Sequence, residues 1–317
     1  MDTLIVMLKN VIIFVLLAVP GALMVKGKLL SGKDCGVMVK LLTYVGMPAL
    51  ILSNALTLEF TPELTWAIVL TGILGVLVVL LFYGLSAVLA RGDEEKRRGM
   101  MRFCMVFANN GFIGIPLAEA VLGKGHPVMT YLIVLNIVMN LTMFTLGVYL
   151  VSGDKSAMNV KKALLTPVLL AFLGGIALNL LGIPKFLPEM KDYADKLKGI
   201  VTPLSMLVLG VKLAEVPLKK LFTSGKMYYV SAVRLVLFPA LCVGLMLLLK
   251  QLPVLKISAD MVMGFFIAFA MPTAGLASAF SDQYSGDTEN AVIFTLGTTV
   301  VSVATIPVLY WLLGMIL

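Results

Sequence analysis

Hydrophobic positions in this chain neither alternate nor keep to one face of a helical repeat; they run on almost unbroken for about twenty residues at a time. Apolar stretches bounded by charged residues or by Gly and Pro clusters fall at 4–25, 41–58, 65–90, 100–122, 128–151, 163–182, 199–214, 228–249, 258–281 and 290–316. About 20 helical residues cross a hydrocarbon core, so the pattern predicts ten spans. The first opens on Asp2 with no basic segment before it and outlasts the apolar part of a signal peptide, so it reads as a mature helix. Between Pro184 and Gly199, Glu189, Asp192 and Asp195 are interspersed with lysines. That segment predicts a short amphipathic helix lying on the membrane surface, with no chemistry of its own.

Composition agrees with the pattern. Hydrophobic residues make up 60% of the 317 and charged residues 13%, with a mean hydropathy of +1.03. Little chain is left for a soluble domain. The net charge of +8 would suggest nucleic acid in a soluble protein, but here the basic residues sort by loop. Sixteen of the 25 fall in alternate connections, around residues 26–40, 91–102, 155–162 and 212–226, against seven in the opposite ones. Cytoplasmic loops carry the lysine and arginine excess, so both termini are expected outside a plasma (inner) membrane, with no nucleic-acid partner. Cys35, Cys104 and Cys242 form no CxxC pair and His126 is the only histidine. Disulfide frameworks, zinc sites and Ser-His-Asp hydrolysis are thereby disfavoured, and no P-loop is present. The chain is expected to be neither an enzyme nor a user of a cofactor or metal.

The halves 1–152 and 163–317 are nearly equal, joined by a short linker at 153–162, and each holds five apolar stretches. An odd number places the second copy upside down in the bilayer. Val45-Gly46-Met47-Pro48 opens the second span and Ile200-Val201-Thr202-Pro203 the seventh; Phe107-Ala108-Asn109-Asn110 in the fourth is echoed by Phe269-Ala270-Met271-Pro272 in the ninth. Inverted repeats recur in secondary transporters. The fourth span also contains Asn109-Asn110-Gly111 and Gly114-Ile115-Pro116, and the ninth Pro272-Thr273-Ala274-Gly275. These are poor helix formers at mid-membrane, and both spans are expected to break there. Paired interruptions at corresponding positions point to a substrate site; proline kinks with close glycine packing are the plainer alternative.

At these residues the chain resembles the auxin efflux carrier family, which includes plant PIN proteins and bacterial permeases often assigned to malate or malonate. Met47-Pro48-Ala49-Leu50, Asn109 through Gly114-Ile115-Pro116-Leu117, Ala232-Val233-Arg234-Leu235 with Pro239, Met271-Pro272 and the stretch from Phe294 to Ile306-Pro307 carry the resemblance. It implies an all-α integral membrane protein of ten helices in two inverted five-helix repeats, similar to bile-acid symporters. Helices 1, 2, 6 and 7 would form a scaffold, through which a homodimer can form. Helices 3–5 and 8–10 would form a transport domain in which the broken fourth and ninth cross. Asn109 falls on the asparagine of a plant Pro-Asn pair, Asn136 on a glutamine and Pro272 on the crossing proline. Ala108 stands where that pair has its proline, and no large loop follows residue 152. Auxin itself is therefore not implied.

A pocket at such a crossing is expected to be lined by Asn109, Asn110, Thr273 and Ser278, beside Pro272, with Asn136 and Asn140 on one face of the fifth span and Asn54 on the scaffold side. Amide groups and helix N-termini suit a carboxylate. The asparagine pair has a second reading, as a bond between neighbouring helices. Arg234 lies well inside an apolar run, where an unpaired cation is costly; it either pairs with the anion or braces carbonyls freed by a broken helix. Glu119, Asp260, Asp282 and Glu289 lie toward span ends, leaving no evident proton or sodium carrier. The expectation is a secondary transporter exporting small organic anions by an elevator-type movement. The alternatives are a sodium- or proton-coupled dicarboxylate importer and a membrane sensor that binds a ligand without moving it.

Overall fold

The computed structural model describes residues 2–91, 94–215 and 218–317, and among these it is all-helical. The principal helices are α1 (Asp2–Lys26), α2 (Cys35–Ala55), α3 (Pro62–Leu89), α4 (Glu95–Val106), α5 (Asn110–Leu122), α6 (Val128–Ser152), α7 (Pro167–Leu180), α8 (Glu189–Lys198), α9 (Val201–Glu215), α10 (Gly225–Lys250), α11 (Ala259–Ala270), α12 (Ala277–Gln283) and α13 (Thr288–Gly314). Eight segments among the described residues are long and apolar enough to cross a membrane: α1, α2, α3, α6, α7 with the turns before it, α8 running into α9, α10 and α13. The remaining two apolar stretches are interrupted, as α4–α5 and α11–α12.

Exposed side chains say what surrounds the bundle. Leu16, Ile73, Leu77, Leu173, Val236 and Leu248 are all exposed, a solvent-facing set that water would penalise and lipid does not. The interior is close-packed and aromatic, with Phe82 of α3 stacked on Phe238 of α10 at 4.1 Å and edge-on to Phe269 of α11 at 5.5 Å. Helix α1 lies along α9, and α2 packs on α7, α8 and α9. Backbones touch where α1 meets α9: a Cβ on Gly210 would collide with the Ala18 carbonyl, and one on Gly21 with that of Leu207. Helices α3, α6, α11, α10 and α13 form a second chain of contacts that encloses the interruptions.

Three helices widen into a single π-turn just before a proline. Leu42–Gly46 precedes Met47-Pro48, Asn110–Gly114 precedes Ile115-Pro116, and Val233–Leu237 precedes Phe238-Pro239. Proline has no N–H to give the preceding turn and its ring crowds the carbonyl there. A wider turn relieves the crowding without ending the helix. Pro116 is buried at such a turn and so serves the shape of α5 rather than a cavity wall. The segment before Gly199 is helical, as its pattern predicts, but it does more than lie on a surface. Lys198 pairs with Glu119 at 3.3 Å and with Asp195 at 2.9 Å, and Ser53 of α2 donates to Asp195 at 2.5 Å. This cluster ties α5 to α2 and α8 at the end of the bundle opposite the basic connections.

Candidate functional site at the crossing of two interrupted helices

The breaks Phe107–Asn109 and Met271–Leu276 cross in the middle of the bundle, antiparallel to each other, where Ala108 and Thr273 form an isolated β-bridge. Asn109 N donates to Pro272 O at 2.8 Å and Ala274 N donates to Phe107 O at 2.9 Å. Buried backbone groups must find partners, and here each broken strand supplies the other's.

The carbonyls at the C-terminal ends of α4 and α11 are closed by Arg234. Its guanidinium is fully buried. Nε donates to Met271 O at 3.0 Å, Nη1 to Met105 O and Val106 O at 3.1 Å each, and Nη2 to Phe269 O at 2.8 Å. A cation held between two helix C-termini also sits at the negative ends of both helix dipoles. Of the two readings of Arg234, its hydrogen bonds follow the bracing one, and it is in the wall of neither cavity described below. Thr273 behaves similarly: it is fully buried, with Oγ1 donating to Cys104 O at 2.9 Å and N donating to Thr298 Oγ1 at 3.1 Å. Thr273 and Pro272 therefore build the crossing, and neither is in the wall of the two cavities described below. Asn54 donates to Leu50 O of its own helix at 2.8 Å, away from the site.

The amide side of the crossing is built differently. A cavity of about 180 Å³ is lined by Asn109, Asn110, Asn136 and Asn140 together with Gly275 and Lys162. Asn140 Nδ2 donates to Asn136 Oδ1 at 3.1 Å, and Asn136 Nδ2 donates to Asn110 Oδ1 at 2.8 Å. The chain of amides stops there. Asn110 is 1% exposed, and its Nδ2 has no hydrogen-bond partner. A buried donor left open costs roughly 1–3 kcal/mol, an expense that an acceptor in the cavity removes. The first N–H groups of α5, which have no intrahelical acceptors, belong to Asn110, Gly111 and Phe112, all of them cavity-lining. Gly111 is required for this arrangement, because a Cβ there would lie 2.7 Å from Asn136 Nδ2.

Lys162 supplies a cation at the wall, 5.6 Å from the ring centroid of Phe144. Tyr44, Phe112 and Phe144 give the cavity apolar faces. The sequence counts Lys162 only as one basic loop residue among many; its distance along the chain from Asn110 hides that the two line one cavity. Tyr44 directly precedes the Val45-Gly46-Met47-Pro48 motif, a signal that was available. Ser278 lies on the wall of a second cavity of about 460 Å³, which shares Asn109, Phe112, Gly275 and Leu276 with the first. Lys162 in one cavity and Lys33 and Lys40 in the other belong to the basic connections, so both cavities reach toward that end of the bundle.

The geometry is that of a concave, largely apolar site with a few convergent donors and a cation, suited to a small anion. A family model described as a membrane transport protein matches residues 5–310. An uncharacterized transporter of Methanothermobacter thermautotrophicus is 24% identical over 217 residues, covering 68% of this chain and 68% of that protein.

Proposed function

The chain belongs to this membrane transport protein family, the auxin efflux carrier type, and on that premise we propose that it is a secondary transporter of small carboxylates that uses the crossing as its substrate site. The observation that carries the reading is the unpaired amide of Asn110, held in place by Asn136 and Asn140, in a residue of the wall of a cavity to which Lys162 adds a positive charge. A carboxylate there accepts from Asn110 and from the α5 N-terminus while sparing its charge a fully apolar surrounding.

In this reading the interrupted pairs α4–α5 and α11–α12 count as one span each, which with the eight long segments makes ten in two inverted repeats. Helices α1, α2, α7 and α9 act as scaffold, and the remaining spans slide against them. The basic end faces the cytoplasm of a plasma membrane, so both termini are outside. Both cavities then open inward, and the Glu119–Lys198 pair closes the outer side. Among the described residues no Asp or Glu is in the wall of the cavity at Asn110. That favours movement of the anion down the membrane potential, about 2.3 kcal/mol per charge per 100 mV, over coupling to sodium or protons.

The test is counterflow of labelled malonate into malonate-loaded proteoliposomes. Uptake above protein-free vesicles, lost on addition of unlabelled carboxylate, supports transport; binding without exchange would make the protein a sensor.

A further inference from the structure

We propose that the second cavity, on the far side of the crossing, is a separate anion site built on Lys212 and able to take a small carboxylate or an inorganic anion such as chloride. It is lined by Lys212, Ser205, Ser278, Thr295 and Thr299, with Lys33 and Lys40 toward the basic connection. Lys212 belongs to α9, and its ammonium makes one long hydrogen bond, to Gly275 O at 3.4 Å. Among the described residues no carboxylate pairs with it within 4.0 Å. Asp282 lines the same cavity, but its Oδ1 accepts from Thr288 Oγ1 at 2.8 Å, and the Glu215 carboxylate accepts from Gly32 N. A partly buried ammonium with two protons to spare and no carboxylate in direct contact is costly in an apolar surrounding, even with the charges of Asp282 and Glu215 nearby. An anion in the cavity supplies what it lacks.

A second observation points to the same place. Thr295 Oγ1 is buried in this wall without a hydrogen-bond partner, a hydroxyl donor left open as Asn110 is in the first cavity. Thr295 and Thr299 stand four apart on α13, as Asn136 and Asn140 stand four apart on α6. Each cavity thus has in its wall a pair of polar side chains one helical turn apart, together with the shared Asn109 and Gly275 and at least one lysine: Lys162 in the first, and Lys212 with Lys33 and Lys40 in the second. Lys33 and Lys40 draw anions toward the mouth. The site does not depend on the carboxylate reading of the first cavity, since its cation and hydroxyl are its own.

The test uses Ser278→Cys in a background with Cys35, Cys104 and Cys242 replaced, checked for a monodisperse elution profile. Its modification by anionic sulfonatoethyl methanethiosulfonate is compared with that by the cationic trimethylammonium analogue. The anionic reagent should react about tenfold faster or more, since a cation lies within the same low-dielectric cavity. Lys212→Gln should remove most of that preference and Lys212→Arg should keep it. Millimolar chloride or malonate should slow the reaction when Lys212 is present and not in Lys212→Gln, and the two arms identify which anion is held. Asn110→Ala should leave all of these effects in place, which separates this site from the first cavity. Equal rates for the two reagents, a preference that survives Lys212→Gln, or no reaction with either reagent would overturn the proposal.

Discussion

Arg234 and Asn110 lie on opposite sides of one crossing, both buried, and their hydrogen bonding is reversed. Around Arg234 every nitrogen is engaged: four of the five guanidinium N–H bonds meet four carbonyls from the ends of α4 and α11. Around Asn110 it stays open, because two amides orient a third whose N–H group meets nothing. A satisfied polar cluster in an apolar bundle specifies a shape. A cluster left unsatisfied next to a cavity is, in the proposed reading, where a ligand is accepted. The same comparison holds between lysines: Lys198 is paired with Glu119 and Asp195 at the end opposite the basic connections, whereas the hydrogen bond of Lys212 is a long one to a carbonyl.

The largest effect should follow from Arg234→Ala, which strands four carbonyls in a dry interior at roughly 1–3 kcal/mol each. Folded, monodisperse protein should be nearly lost, as read by size-exclusion profile and thermal unfolding in detergent. Arg234→Lys should recover little, because one ammonium cannot fork to both helix ends. A fully stable Arg234→Ala protein would mean that the closed side is not what holds the crossing.

Gly111→Ala should come next, acting on the open side. Its Cβ displaces the Asn136 amide, so carboxylate affinity should fall about tenfold, the loss of one hydrogen bond to a charged acceptor, with the fold kept. Titration of the purified variant checks both. Affinity equal to the parent's would show that the order of the three amides does not matter. Smaller still, Glu119→Gln should loosen the sealed end. A cysteine at Ala118, which is 1% exposed, should then react with an impermeant maleimide about threefold faster, the scale of a partly exposed ion pair. Lys162→Gln should have the least effect. It should weaken binding a few-fold at low salt and less at high salt, because its charge acts from the wall through a screened field.

How much of this the sequence discloses depends on the range of the interaction. The apolar stretches follow from a one-dimensional property and coincide with the helices, and the two interruptions are written in Asn109-Asn110-Gly111 and Pro272-Thr273 as local backbone preferences. Prolines 48, 116 and 239 announce a missing donor but leave open whether the helix kinks, ends or widens; in all three cases it widens into a π-turn. Arg234 declares a need for partners without naming them, since carbonyls and anions are equally good acceptors. Thr273 reads as a pocket residue because its hydroxyl is polar and central, yet Cys104 O claims it across the crossing. Lys162, Lys198 and Lys212 are the hardest to read. Each looks like an ordinary basic residue until the fold brings Phe144, Glu119 and Gly275 to it.

The contrast between the two sides is tested most directly by measuring, on the same preparation of Asn110→Ala, the thermal unfolding midpoint without ligand and the malonate affinity by titration. The open donor contributes nothing to the empty protein, but Asn110 Oδ1 also accepts from Asn136 Nδ2, so the midpoint should fall modestly, by about the one buried hydrogen bond lost, and far less than in Arg234→Ala. Affinity should meanwhile fall tenfold to a hundredfold, the loss of about 1.5–3 kcal/mol for one hydrogen bond to a charged group. A midpoint lowered as far as in Arg234→Ala, with unchanged affinity, would contradict this, and would place Asn110 with Arg234 among the groups that hold the fold.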